Sequence, residues 1–84
     1  MFELEWKKSA IRELYKLEKG IHSRIFNKVE ELKDGFQSKD IKKIKGENRL
    51  RLRVGDYRVI FSFANNLITI WKVGLRKNIY KNLR

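Results

Sequence analysis

Hydrophobic positions along the chain change their spacing once, between residues 36 and 48. After a short start they recur as on helices; beyond residue 48 they alternate as on strands. At the start, Phe2, Leu4 and Trp6 alternate with Glu3 and Glu5, a short half-buried strand. Ser9 can then cap a helix running to about Lys19, with Ile11, Leu14, Tyr15 and Leu17 on one stripe and Gly20 ending it. A second helix is expected from about Ile21 to Lys33, on the stripe Ile21, Ile25, Val29 and Leu32. Lys8, Arg12, Lys16 and Lys28 fall outside both stripes and read as solvated. Gly35 closes the helical part, and the short link between the helices implies an antiparallel hairpin.

Residues 36–48 read as irregular, with Lys42, Lys43 and Lys45 clustered before Gly46; a solvated loop is their default, with phosphate contact second. Three strands follow: Arg49 to Val54, Tyr57 to Phe63 and Leu67 to Val73. Gly55-Asp56 and Asn65-Asn66 separate them, pairs that tolerate the positive φ of tight hairpins. Arg76 to Arg84 is a helical turn or an extended tail. The expectation is a single domain over residues 1–84, of α+β class: an antiparallel helix hairpin on one face of a mostly antiparallel four-stranded sheet.

Composition narrows the chemistry. In 84 residues there is no Cys and one His, His22, so a thiolate zinc site and a poly-His site are both excluded within one chain. No metal or cofactor is expected. The apolar runs are too short to span a membrane. The first residues carry acids where a signal peptide needs bases, so a cytoplasmic protein is expected. The net charge of +11 is unevenly placed: residues 1–40 hold 9 bases and 8 acids, residues 41–84 hold 12 bases and 2 acids. Solubility alone predicts a mixed surface. A half this basic implies nucleic acid or an acidic protein as partner, ahead of a membrane surface.

The alternation places the charge. In Arg49 to Val54 every odd position is Arg and every even one apolar, so Leu50, Leu52 and Val54 face the helices and the guanidiniums face away. With Gly55-Asp56 as a two-residue turn, Arg53 opposes Arg58 and Arg51 opposes Ile60. Like charges held side by side are unfavourable in the free protein. Counting across Asn65-Asn66 puts Thr69, Trp71 and Val73 on the Arg face, and Ile68 and Ile70 on the core face. Clustered Arg beside aromatics suits a phosphate backbone and stacked bases. For Arg51 alone a merely solvated face explains as much, and Trp71 reads first as a packed residue.

The stretch Arg49-Leu50-Arg51-Leu52-Arg53-Val54-Gly55-Asp56-Tyr57-Arg58-Val59-Ile60-Phe61 resembles the strand hairpin of the RelE/ParE superfamily of toxins. The first strand, the helix hairpin, Lys45-Gly46 and Val73-Gly74-Leu75-Arg76 before Tyr80 agree with it. The resemblance covers essentially the whole chain. It implies the toxin of a type II toxin–antitoxin pair. In the RelE branch that means a ribosome-dependent endoribonuclease, an mRNA interferase that cuts mRNA in the A site and so inhibits translation. Arg51 and Arg53 fall where the best-known RelE enzyme has Lys; Arg58 and Arg76 fall on Arg positions of its site. Tyr80 matches the terminal Tyr, one residue nearer to Arg76. Arg is a poor base, so Lys-to-Arg removes a group whose pKa could be lowered to accept a proton.

The resemblance therefore implies catalysis by Arg51, Arg53, Arg58, Arg76 and Tyr80, without metal, through 2′-hydroxyl attack on the scissile phosphate. Lys43, Lys45, Arg49, Trp71, Lys77 and Lys81 are expected to bind RNA around them. Only Glu47 and Asp56 follow residue 40 as acids, so no carboxylate is expected in the site. An acidic, RelB-like antitoxin is the implied protein partner, in a heterodimer or heterotetramer, beside ribosome and mRNA. The competing expectations are a ParE-like gyrase-inhibiting toxin and a catalytically weak RNA- or ribosome-binding module.

Overall fold

The structure, a computed structural model, describes residues 1–79. β1 (Glu3–Trp6) leads into α1 (Lys8–Tyr15) and α2 (Lys19–Glu30), and a 3-10 turn, Glu31–Asp34, extends α2. Then come β2 (Ile41–Lys43), β3 (Leu50–Val54), β4 (Tyr57–Ala64), β5 (Leu67–Leu75) and a single helical turn, α3 (Arg76–Ile79). The sheet order is β1-β5-β4-β3-β2, with β1 parallel to β5 and every other pair antiparallel. The α+β class is as expected, with five strands instead of four.

The fifth strand lies inside the stretch expected to be irregular. Ile41-Lys42-Lys43 shows no alternation and is too short to carry a period. Its partner defines it: Ile41 opposes Leu52, Lys42 opposes Arg51 and Lys43 opposes Leu50. The chain turns back through Gly46 at a φ of 78°, and the Ile44 N–H donates to the Arg49 carbonyl at 3.0 Å.

The helix ends also differ from the pattern. Lys7, not Ser9, is the N-cap of α1, and no side chain caps it. The Lys7 N–H donates to the Ile70 carbonyl at 3.0 Å, so pairing with β5 decides where β1 becomes helix. α1 stops at Tyr15, and Gly20 lies in the first turn of α2. Ala10 and Leu14 are the buried pair of α1, while Ile11 and Tyr15, one position further round, stay exposed. The stripe of α2 is as expected: Ile25, Val29 and, beyond it, Leu32 are buried.

These helical residues pack on Leu52, Val54, Val59, Phe61, Ile68, Ile70 and Val73 to make one core. Burying such side chains contributes about 1.5–3 kcal/mol each, which holds the hairpin on one face of the sheet. Val73 was expected on the opposite face. A bulge between Ile60 and Phe61 makes Trp71 the extra residue of β5, so Ile60 opposes Lys72 and Val73 turns inward. β1 pairs with β5 only as far as Ile70, so the Val73 N–H has no strand partner on that side. The Glu13 carboxylate on α1 accepts from the Val73 N–H at 2.8 Å, beyond the end of β1.

The other face is only partly open. Ile60, opposite Arg51, is fully buried there, and so is Ile79 of α3. A Cβ at position 74 would lie 3.1 Å from Ile79 Cδ1, so Gly74 lets α3 fold down on the sheet. Among the described residues no helix is long and apolar enough to cross a membrane.

Candidate functional site

Two cross-strand rows build the site. In the first, Arg53 of β3 opposes Arg58 of β4, and Arg58 opposes Gly74 of β5. On its outer side the Arg53 N–H donates to the Asp40 carbonyl at 2.9 Å, which continues the ladder past β2. In the second, Lys42, Arg51, Ile60 and Lys72 stand in line. These positions lie on the sheet face away from the helices, although Lys72 Nζ reaches back to within 3.8 Å of Glu13 Oε2 on α1. Arg76 arrives because α3 starts directly after β5 and folds over Gly74; its N–H donates to the Asp56 carbonyl at 2.9 Å. The result is a depression of about 440 Å³ lined by Lys39, Asp40, Lys42, Arg51, Arg53, Arg58 and Arg76.

Arg53 and Arg58 are held in different ways. Arg58 is only 5% exposed, and its Nη1 donates to the Gly55 and Tyr57 carbonyls, each at 2.9 Å. Turn carbonyls thus fix this guanidinium at the hairpin. Arg53 is half exposed and leans on a carboxylate: its Nε and Nη2 donate to Asp40 Oδ1 at 3.0 and 2.7 Å. Lys28 Nζ lies 3.5 Å from Asp40 Oδ2. The hydrogen bonds from Arg53 hold the Asp40 carboxyl below the usual carboxylate range, with Lys28 adding to the effect.

Asp40 corrects the expectation that no acid enters the site. The sequence gives it no signal until β2 is recognised, because only the β2–β3 register sets it beside Arg53. The face nevertheless stays strongly cationic. Among the described residues no carboxylate lies within ion-pair distance of Lys39, Lys42, Arg51 or Arg76.

The remaining expected residues divide. Lys43 and Arg49 line a separate depression of about 500 Å³ with Asn48, Leu50, Ser62, Phe63 and Ala64. Lys77 lines another, beside Asp56, Leu75 and Arg76. Lys45 is exposed in the β2–β3 turn and lines neither. Trp71 lies on the expected face but is engaged: its Nε1 donates to Ser62 Oγ at 2.8 Å, with Arg49 Cζ 4.5 Å and Lys7 Nζ 5.0 Å from the ring centroid. Tyr80 and Lys81 lie outside the described residues. Lys39 and Lys7 are further cations that the pattern did not assign to a site, and Lys42, for which phosphate contact is the second reading, lines the depression.

Chemically, the depression offers fixed N–H donors and positive charge for phosphate oxygens. It offers little basicity, since Arg stays protonated and Asp40 is held as a carboxylate by Arg53. His22 is remote, on α2, edge-on to Tyr15 at 4.7 Å between ring centroids.

Comparison with known proteins agrees with this geometry. Among solved structures, a chain of the RelB-RelE antitoxin-toxin complex from Methanococcus jannaschii is 32% identical over 94% of this chain and 98% of that one, with a TM-score of 0.77. A chain of the archaeal RelE-RelB complex from Pyrococcus horikoshii OT3 is 26% identical over 92% and 97%, with a TM-score of 0.75. The isolated E. coli RelE toxin, 15% identical over 89% and 84% with a TM-score of 0.75, shares the fold. Among curated proteins no sequence matches this one significantly. The sequence model described as "ParE toxin of type II toxin-antitoxin system, parDE" matches residues 4–80. With nearly the whole chain inside that match, and with this sheet, helix hairpin and cationic depression, the chain belongs to the ParE toxin family of type II toxin–antitoxin systems, within the RelE/ParE superfamily.

Proposed function

We propose that this toxin, a single domain over residues 1–84, is a ribosome-dependent endoribonuclease that cleaves mRNA in the A site and so halts translation. The observation that carries the reading is the convergence of Arg51, Arg53, Arg58 and Arg76 on one depression. Cleavage by the RNA's own 2′-hydroxyl needs the 2′-oxygen, phosphorus and 5′-oxygen in line. It also needs a proton acceptor, a proton donor and stabilisation of charge on the phosphorane oxygens. Fixed guanidiniums supply the last of these, because they need not reorganise as the charge develops.

In this scheme Arg53, Arg58 and Arg76 bind the scissile phosphate, and Arg51 holds a flanking phosphate or assists proton transfer. Tyr80 stacks on a base or takes the 2′-hydroxyl proton. Lys43, Lys45, Arg49, Trp71, Lys77 and Lys81 engage RNA around the cut. Trp71 does so through the cations it carries. A site this poor in acid–base groups accounts for reliance on the ribosome, which orients the substrate. Cytoplasmic action follows from that dependence. The partner is an acidic, RelB-like antitoxin in a heterodimer or heterotetramer; the RelB-RelE complex of M. jannaschii supports this, and an acidic segment would cover the Arg-rich face.

A second reading has its own support. The matched family is described as ParE, parDE, which favours a gyrase-inhibiting toxin on the same fold. Primer extension on mRNA in a translating extract separates the two. New mRNA 5′ ends within the A-site codon, insensitive to EDTA when added to stalled ribosome complexes, are expected. Intact mRNA with early loss of DNA supercoiling would overturn the ribonuclease in favour of the gyrase poison. Tight ribosome binding without new ends would leave a binding module.

A further inference from the structure

The helix hairpin also reaches the depression from behind. Arg24 and Lys28 lie one turn apart on α2, outside its buried pair Ile25 and Val29. They line a second depression, of about 460 Å³, that shares Asp40 and Arg53 with the first. Lys28 Nζ meets Asp40 Oδ2, the oxygen that Arg53 leaves, since Arg53 uses Oδ1 twice. The Asp40 backbone is already fixed: its N–H donates to Ser38 Oγ at 3.0 Å, and its carbonyl accepts from the Arg53 N–H. The remaining freedom is rotation of the carboxylate, and a cation on each oxygen removes it. The Asp40 side chain is only 18% exposed, so solvent screens the three groups weakly. Arg24 lies against the β3–β4 turn. A Cβ at position 55 would come within 3.2 Å of Arg24 Nη1, so Gly55, at a φ of 60°, admits both the turn and the guanidinium. The Gly55 carbonyl is one of the two that hold Arg58.

We propose that Arg24 and Lys28 of α2 are positioning residues for the paired site arginines: Lys28 fixes Arg53 through Asp40, and Arg24 fixes Arg58 through the Gly55 turn. Neither touches the substrate. α2 is anchored in the core beside Leu52 and Val54 of β3, so the two side chains carry the rigidity of the core to the rim of the sheet. Stabilisation of developing charge depends on donors already aimed at it, so a loss of aim lowers the rate more than the affinity. The two routes are separate, one through a carboxylate and one through a turn, and removing the Asp40 charge tells them apart. The inference rests on the ribonuclease reading for its effect on rate, whereas the contacts themselves do not depend on it.

The test compares Lys28→Met and Arg24→Met in the full chain, each with and without Asp40→Asn. On mRNA-programmed ribosomes each single variant should lower kcat about tenfold and leave KM within about twofold. In the Asp40→Asn background Lys28→Met should have almost no further effect, whereas Arg24→Met should keep its full effect. Lys28→Arg should restore the rate to within about twofold. With a fluorescein-labelled 2′-O-methyl hexauridylate, which cannot be cut, both variants should keep the wild-type salt slope; a slope lower by about 0.7 would make that residue a phosphate contact and overturn its positioning role. The Arg53 Nε–H resonance gives a readout without cleavage. Bonded to Asp40 in the wild type, it should exchange with water several-fold faster in Lys28→Met. Unchanged exchange, no loss of rate, or an equal loss in both backgrounds overturns the Lys28 route. No loss of rate in Arg24→Met, or a loss that vanishes with Asp40→Asn, overturns the Arg24 route. Should Lys28→Met unfold, Lys28→Gln takes its place in the same cycle. Faster exchange in a domain whose wild type cuts no mRNA keeps the Lys28 contact and removes the ribonuclease reading instead.

Discussion

Replacing Asp40 with Asn tests whether the cationic depression works by charge. The Asn carboxamide can still accept from Arg53, but the negative charge is gone. In the wild type, Arg53 and Asp40 together are neutral, so of six cations around the depression about five can release counterions into RNA binding. On single-stranded RNA each phosphate neutralised contributes about −0.7 to the slope of log affinity against log salt, giving about −3.5 for five and about −4.2 for six. Between 50 and 200 mM salt, affinity should then fall about 130-fold in the wild type and about 340-fold in Asp40→Asn. Fluorescence anisotropy with an uncleavable oligonucleotide measures both slopes. The variant should bind more tightly at low salt yet cleave more slowly, because Arg53 loses the anchor that aims it. Identical slopes would refute the reasoning: Arg53 would be engaging phosphate with its full charge despite Asp40.

Three further outcomes are expected. Glu13→Ala leaves the Val73 N–H without its carboxylate acceptor and should cost about 1–3 kcal/mol in chemical denaturation; no loss would mean that water replaces Glu13 at the edge of β5. Asp40 has a lowered folded pKa, so its ionised form stabilises the fold fully above the unfolded carboxyl value, near about 3.9, and the contribution is lost as pH falls through the lower folded value. The difference in Tm between wild type and Asp40→Asn should be constant from pH 7 to 5 and shrink only below about pH 4; shrinkage already at pH 6 would implicate another group. Added NaCl should raise the Tm of the free domain while weakening RNA binding, since it screens Lys42 from Arg51; a Tm that falls with NaCl would show that this like-charge row carries no strain.

Much of this arrangement is legible in the residues, and the exceptions share a cause. Arg51, Arg53 and Arg58 are placed by strict alternation and a two-residue turn, both local, and the Arg53–Arg58 pairing follows from them. Asp40, Lys39 and Lys42 depend on β2, whose three residues have no period and become a strand only against β3. Val73 depends on a bulge one strand away, which no count along the sequence contains. The end of α1 at Tyr15 and the exposure of Ile11 depend on which side of the helix meets β5. Local chemistry is written in the sequence, whereas register between distant segments emerges from packing.

The placement of the bulge ties the fold to the site. Without it, Trp71 would replace Lys72 opposite Ile60 and Val73 would replace Gly74 opposite Arg58, so the end of β5 would present its other side to the depression. Because the phase shifts at Trp71, Gly74 falls opposite Arg58 and leaves room for Ile79 to press α3 onto the sheet. α3 in turn carries Arg76 to the rim, and Trp71 itself, displaced as the extra residue, is free to hold Arg49. One inserted position thus sets Arg76 at one end of the guanidinium row and Arg49 at the other. Beyond the end of β1 the Val73 N–H of this shifted segment donates to Glu13 of the helix hairpin. The core and the cationic face are therefore not independent layers. A change that slips β5 against β4 should separate Arg76 and Arg49 from the row even where the hydrophobic core adapts.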